Sequence, residues 1–157
     1  VLGYMDKFEA HQKGVLHRAI SVFIFNSKGE WLIQQRAAHK YHSADLWSNS
    51  ACSHPMRGES ELSAAERRLQ EEMGIDADLK KVFSFQYEAK LDSQLIEKEL
   101  DHVFIGYSDE LPKVNTEEVA AYRFVSTSDL AMELVIFPQN FTEWFKLLFQ
   151  QVRQELE

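Results

Sequence analysis

Glu97, Glu99 and Asp101 alternate along one segment of this 157-residue chain, and alternation on a β-strand sends all of them to one face. Carboxylates held that closely repel one another unless something positive sits among them. The run therefore reads either as the solvated outer face of an antiparallel sheet or as part of a divalent-metal site. A metal site needs more donors, and histidines are available: His11 and His17 flank the start of an apolar, β-rich stretch, and His54 follows Cys52 by two residues. Three imidazoles and two carboxylates make a nitrogen-and-oxygen donor set suited to manganese, magnesium or zinc. Spacing alone does not bring these groups together, and each histidine by itself reads more readily as structural or exposed.

Cys52 is the single cysteine, which excludes an intramolecular disulfide and leaves three readings: a small buried hydrophobe, a metal ligand, or a reactive thiol. No cysteine-protease signature surrounds it. A further charged cluster, Glu66, Arg67, Arg68, Glu71 and Glu72, falls opposite the apolar stripe Leu62, Ala65, Leu69 and Met73. Its simplest reading is a solvated helix surface with Arg68 and Glu72 paired at i, i+4.

The elements that must carry these groups follow from periodicity. Val15 to Asn26 and Trp31 to Gln35 read as a hairpin around Ser27-Lys28-Gly29-Glu30, and 37–50 as a long loop that continues through Cys52 to Glu59. Ser60 to Met73 has helical spacing and ends at Gly74, a natural residue for a helix C terminus. Leu79 to Lys90 and Ile96 to Tyr107 read as strands joined around Leu91-Asp92-Ser93, Val119 to Val125 as a shorter strand, and Asp129 to Phe137 and Thr142 to Glu157 as helices. The sum is an α/β (α+β) fold, a mixed sheet between helices, in one domain over residues 1–157. The opening Val1-Leu2-Gly3-Tyr4 looks like the second half of a hairpin, with a short stretch expected ahead of it.

Composition narrows the partners. Hydrophobic residues make up 45% and charged residues 27%, as in ordinary globular proteins, and no apolar run approaches membrane-spanning length. No signal peptide is visible, so the expected location is the cytoplasm. A net charge of −8 argues against nucleic acid as a partner. A small anion remains open wherever basic side chains converge.

The ordered motifs carry more than any one of them. Leu16-His17-Arg18-Ala19-Ile20-Ser21, Gln34-Gln35-Arg36-Ala37, Leu46-Trp47-Ser48-Asn49, Cys52-Ser53-His54-Pro55 with Gly58-Glu59, and Arg67-Arg68-Leu69-Gln70-Glu71-Glu72-Met73-Gly74 together resemble the type I isopentenyl-diphosphate isomerases. With Tyr87 and Glu97-Lys98-Glu99, the likeness runs from about Lys7 to Val125. The helix is also similar to a Nudix box, in which Glu59, Arg67, Leu69, Glu71, Glu72 and Gly74 fit. Ser53 stands where that box has its first glycine, and Arg68 where it has a metal-binding glutamate. That departure speaks against the alternative reading, a Nudix hydrolase of a nucleoside or other diphosphate.

The resemblance implies a Nudix-type α/β/α sandwich whose substrate is a small isoprenoid diphosphate. It implies that His11, His17, His54, Glu97 and Glu99 bind manganese or zinc, and that Glu72 binds magnesium. Lys7, Arg36, Lys40 and Arg68 then meet the diphosphate, and Glu99 with Tyr87 and Cys52 move protons on opposite faces of the alkene. Several family members place a tryptophan after a Thr-Pro pair near the C terminus, against a carbocation. The corresponding stretch reads Phe137-Pro138-Gln139, so the ring is expected from Tyr87 first and Trp47 second.

Overall fold

The computed structural model describes residues 16–40, 42–90 and 96–156, with backbone alone at 87, 89, 90 and 97. Lys7, His11, Val15 and the expected turn at Leu91-Asp92-Ser93 lie outside the described residues.

The central element is β1 (His17–Phe25), buried through most of its length. It runs parallel to β6 (Ile96–Tyr107), from His17 opposite Glu99 to Phe25 opposite Tyr107. β6 in turn pairs antiparallel with β5 (Lys80–Lys90). The other edge of β1 is divided. Residues Ile20, Ser21 and Val22 pair with Ser53, Cys52 and Ala51 of β4 (Ala51–Ser53), whereas only Ile24 and Phe25 pair with β2 (Trp31–Arg36). β2 then pairs with β3 (Trp47–Ser48) and β7 (Val119–Val125).

The short strands β3 and β4 correct the expectation of an uninterrupted loop over 37–50 and beyond. Segments of two and three residues show no periodicity. They are strands because β2 and β1 offer them unpaired backbone edges.

Helices cover both faces. α1 (Glu61–Met73) starts at Ser60, whose hydroxyl accepts the Ser63 N–H at 3.1 Å, and stops at Gly74, in the left-handed region at φ 65°. Its Ala64, Ala65, Leu69 and Met73 pack on Ile20, Val22, Ile24 and Leu32. α2 (Thr127–Ile136) and α3 (Glu143–Glu155) are likewise capped by Ser126 and Thr142. They cover the opposite face, where Leu130, Phe145, Leu148, Phe149 and Val152 meet Phe23, Phe25, Trp31 and Ile33. The result is an α/β/α sandwich around a mixed sheet, and among the described residues no helix is long and apolar enough to cross a membrane.

Two residues of α1 sit opposite to their expected places. Leu62 is exposed, and Glu72 is buried inside rather than on a solvated face. The stripe is narrower than the sequence suggested because small alanines, not Leu62, meet the sheet.

Phe145 is the aromatic hub of the α3 face: it stacks on Phe23 and Phe141 with centroids 6.0 and 5.8 Å away and meets the Trp31 edge at 6.3 Å, with no exposed surface. Phe145→Ala should cost about 3–5 kcal/mol of unfolding free energy, the range for a large core side chain leaving a cavity. Urea denaturation measures it; a loss below about 1 kcal/mol would mean that the site collapses without penalty.

Candidate active site

Along β1, His17, Ala19 and Ser21 lie on the face that continues into Phe23 and Phe25. Pairing brings Cys52 beside Ser21 from one edge and Glu99 beside His17 from the other. These residues surround a cavity of about 50 Å³. Ala19, Ser21, Cys52, His54 and Glu99 line it from the sheet, Arg36, Lys40 and His42 from the end of β2 and the loop after it, Arg68 from α1 and Trp144 from α3.

At one side of this cavity the Nε2 atoms of His17 and His54 approach to 2.9 Å, and Glu99 Oε1 lies 3.5 Å from the first and 3.0 Å from the second. Donor atoms of the three residues all fall within 4.8 Å of one another. Burial would raise the Glu99 carboxyl, but hydrogen bonds from His17 and His54 outweigh it and hold it well below the usual carboxylate range. Two ring nitrogens and a carboxylate converge on one point, and once the nitrogens give up the protons they share with Glu99 each offers a lone pair, so the residues fit a divalent ion. The Tyr87 backbone stands opposite Glu99 on β5, and that of Glu97 opposite Ala89.

The cationic wall is held from behind by carboxylates. Arg68 donates from Nε to Glu72 at 3.1 Å and from Nη1 to Glu71 at 2.9 Å, and its Nη2 lies 3.4 Å from Glu118. Burial works against the Arg68 charge, but Glu72, Glu118 and Glu71 keep it more firmly protonated than usual. Lys40 is ion-paired with the same Glu118. Glu72 is raised by burial, which the Arg68 charge and a 2.9 Å hydrogen bond from Gln34 only partly offset, and Glu118 raises it further. A buried carboxylate in that position suits a nearby cation. The i, i+4 pair expected of Arg68 and Glu72 is present, but inside the protein.

Arg36 differs from its neighbours. Its Nη1 is 3.9 Å from Cys52 Sγ, its Nη2 donates to the His42 carbonyl at 3.4 Å, and its guanidinium lies 5.3 Å over the Trp144 ring. Its Nε is buried and has no hydrogen-bond partner among the described residues. A buried donor left over beside a cavity is a ready contact for an anionic oxygen.

Among the described residues, the ring of Trp144 lines the cavity. Trp47 instead lies under the Arg123 guanidinium at 4.8 Å and packs against the α3-side core. Trp144 hid among the apolar residues of the terminal helix. Its indole N–H, which donates to Asn49 at 3.1 Å, was the one polar signal that set it apart. Sequence reasoning also missed His42, Ser21 and Glu118.

A family model described as NUDIX domain matches residues 15–145. Among curated proteins, an isopentenyl-diphosphate Delta-isomerase of Pectobacterium atrosepticum is 49% identical over 150 residues, covering 96% of this chain and 84% of the relative. An isopentenyl-diphosphate Delta-isomerase 2 of Photorhabdus laumondii is 52% identical over 145 residues, 92% of this chain and 82% of the relative. Among solved structures, a MutT protein from Methanosarcina mazei superposes with a TM-score of 0.74 at 23% identity, covering 90% of this chain and 96% of its own. The DR0079 protein from Deinococcus radiodurans gives 0.73 at 17% identity, covering 86% and 82%. These structural likenesses bear on the fold.

The loop that carries His54 is clamped to α1 by Glu59, which accepts from Arg67 Nε at 2.8 Å and Nη2 at 2.9 Å and from the Met56 N–H at 2.9 Å. The Arg67 hydrogen bond is the main reason that the Glu59 carboxyl is lowered to about 2. A depressed carboxyl stabilises the fold above its ordinary range and loses that contribution as pH falls through about 2. Glu59→Gln should therefore melt at a lower temperature than the parent at neutral pH, with the gap narrowing from about pH 5 downward. Thermal denaturation across that range checks it; a gap independent of pH would remove the charge from the explanation.

Proposed function

The chain belongs to the NUDIX domain family and, within it, to the isopentenyl-diphosphate Delta-isomerases, and from that membership and the geometry of its cavity we propose that it interconverts isopentenyl and dimethylallyl diphosphate. One observation carries the reading: Cys52 and Glu99 enter the same cavity from opposite edges of β1, beside a wall of three cations. A 1,3 shift of a double bond needs one group to give a proton and another to take one, and an anionic substrate needs the wall.

In the forward direction Glu99, protonated for this step through the Tyr87 hydroxyl, delivers a proton to the terminal carbon, and the π electrons form the new C–H bond. The tertiary carbon is left cationic. Cys52 then takes a proton from the carbon nearer the diphosphate, and the electrons of that C–H bond become the new double bond. The roles exchange in reverse. Arg36, Lys40 and Arg68, with Lys7, bind the diphosphate oxygens, and the Arg36 Nε supplies a donor that no other described residue uses. Divalent metal belongs to this chemistry: His17, His54 and Glu99, with His11 and Glu97, would hold an ion that would orient Glu99 and neutralise charge. Manganese or zinc suits that mixed donor set, and magnesium suits Glu72 and the diphosphate.

Incubation with isopentenyl diphosphate should give dimethylallyl diphosphate, and a chelator should stop it. A positioned acid or base contributes about 10²–10⁴-fold, so Cys52→Ala and Glu99→Gln should each lose at least that much turnover while remaining folded. Release of phosphate or a nucleoside monophosphate from diphosphate substrates, without isomerisation, would replace the reading with hydrolysis.

Trp144 gives the cation an aromatic face, where the sequence pointed to Tyr87 first and to Trp47 second; Trp47 packs elsewhere, under Arg123. A desolvated cation over a ring gains roughly 2 kcal/mol, or about 30-fold in rate. Trp144→Leu should lose about that factor in kcat and Trp144→Phe clearly less. Equal losses would show that the indole N–H bond to Asn49, not the ring face, is what matters.

A further inference from the structure

Of the three acids that alternate on β6, Glu97 and Glu99 find a use in the proposed reaction and Asp101 does not. Asp101 is only 1% exposed, and its Oδ2 accepts the Ser21 hydroxyl at 2.6 Å. Ser21 is equally buried and is a polar residue in the middle of an otherwise apolar stretch of β1, between Ile20 and Val22. A buried carboxylate and hydroxyl are a poor way to fill a core, since an apolar pair of similar volume avoids the desolvation penalty. Their position suggests what the cost is for. Ser21 stands directly opposite Cys52 in the β1–β4 ladder and lines the cavity, and side chains so paired have Cβ atoms about 4.5–5.5 Å apart. The floor between the Cys52 edge and the Glu99 edge is therefore formed by Ala19 and Ser21, and Ser21 is the polar member of the pair.

A serine oxygen has one hydrogen and two lone pairs. Here the hydrogen points to Asp101, so the cavity receives lone pairs, made more negative by the carboxylate behind them. We propose that Ser21 is a further catalytic residue, whose oxygen stabilises the tertiary cation, and that Asp101 is the positioning residue that keeps the hydroxyl hydrogen out of the cavity. Ser21 forms no bond and exchanges no proton; the proton still travels from Glu99 to the terminal carbon, and another leaves to Cys52. The dipole is preorganised at the place where positive charge develops, the arrangement that favours a transition state over a neutral ground state. The proposal rests on the isomerase reading above.

The test separates cation stabilisation from substrate binding and from folding. The parent, Ser21→Ala and Asp101→Asn are assayed for isomerisation and for inhibition by two probes: inorganic diphosphate, and an ammonium analogue of the substrate in which a protonated nitrogen replaces the tertiary carbon. Ser21→Ala should lose about tenfold in kcat and in affinity for the ammonium analogue, while KM and diphosphate inhibition stay within about twofold. Asp101→Asn should show the same selective loss, at about threefold or more. Full turnover in Ser21→Ala, or equal loss of affinity for both probes, overturns the proposal and leaves the isomerase reading standing. A parent protein that converts no isopentenyl diphosphate overturns both.

Discussion

The divided edge of β1 is the constraint on which the site depends. A strand has two edges, and β1 gives one of them entirely to β6 and splits the other between β4 and β2. Because β2 pairs with only two residues of β1, the sheet opens beyond Ile24, and β4 enters the gap with Cys52. The parallel partner fixes Glu99 beside His17 on the other side. Cys52 and Glu99, 47 positions apart in sequence, are thus set by backbone ladders and not by loop packing. Ladders hold side chains to a fixed register, since a slip of one residue would turn every one of them to the opposite face.

Charge inside the site is balanced by short internal circuits. The chain is acidic overall, yet Arg36, Lys40 and Arg68 converge on one cavity. Glu118 faces both Lys40 and Arg68, and Glu72 faces Arg68 from the same helix. Burial would raise the Glu118 carboxyl, but Lys40 and Arg68 hold it below its ordinary value. An anion entering the cavity would therefore meet cations whose positions are already set, and ordering them would cost less.

Sequence patterns revealed those elements whose signal is local. The glycine that ends α1, the alternation along β1 and the bounds of β7 were all legible, and the layered architecture followed from them. What needed a distant partner was not. β3 and β4 have too few residues to show a period, Glu72 looked like surface because its neighbours are charged, and Trp144 looked like core because its neighbours are apolar. Of the site residues carried by the resemblance, Cys52, His54, Glu99, Arg36, Lys40 and Arg68 line one cavity, and His17 meets His54 and Glu99 at its side. Ser21 closes one of the quoted motifs but drew no role from it, and Glu118, next to Glu117 in a turn, drew none either, since a serine on a strand and an acidic pair in a turn have no distinguishing local signature.

Gly74 ends α1 in the left-handed region, and its amide donates to the Gln70 carbonyl at 2.9 Å. Elsewhere, asparagine or aspartate replaces glycine at such a cap at modest cost, because their short polar side chains tolerate that backbone. That escape is closed here. A Cβ added at Gly74 would lie 2.9 Å from both the Cβ and the carbonyl oxygen of Lys113, whose own amide donates to Met73 at 2.7 Å. The position is thus under two independent vetoes, one on torsion and one on volume, and relieving the first leaves the second in force. Any replacement must push Lys113 and its segment away from the helix, and the next attachment along that segment is the Asn115 amide on the carbonyl of Glu72. A single hydrogen atom's worth of space at the end of α1 thereby governs how firmly the carboxylate that faces Arg68 is held.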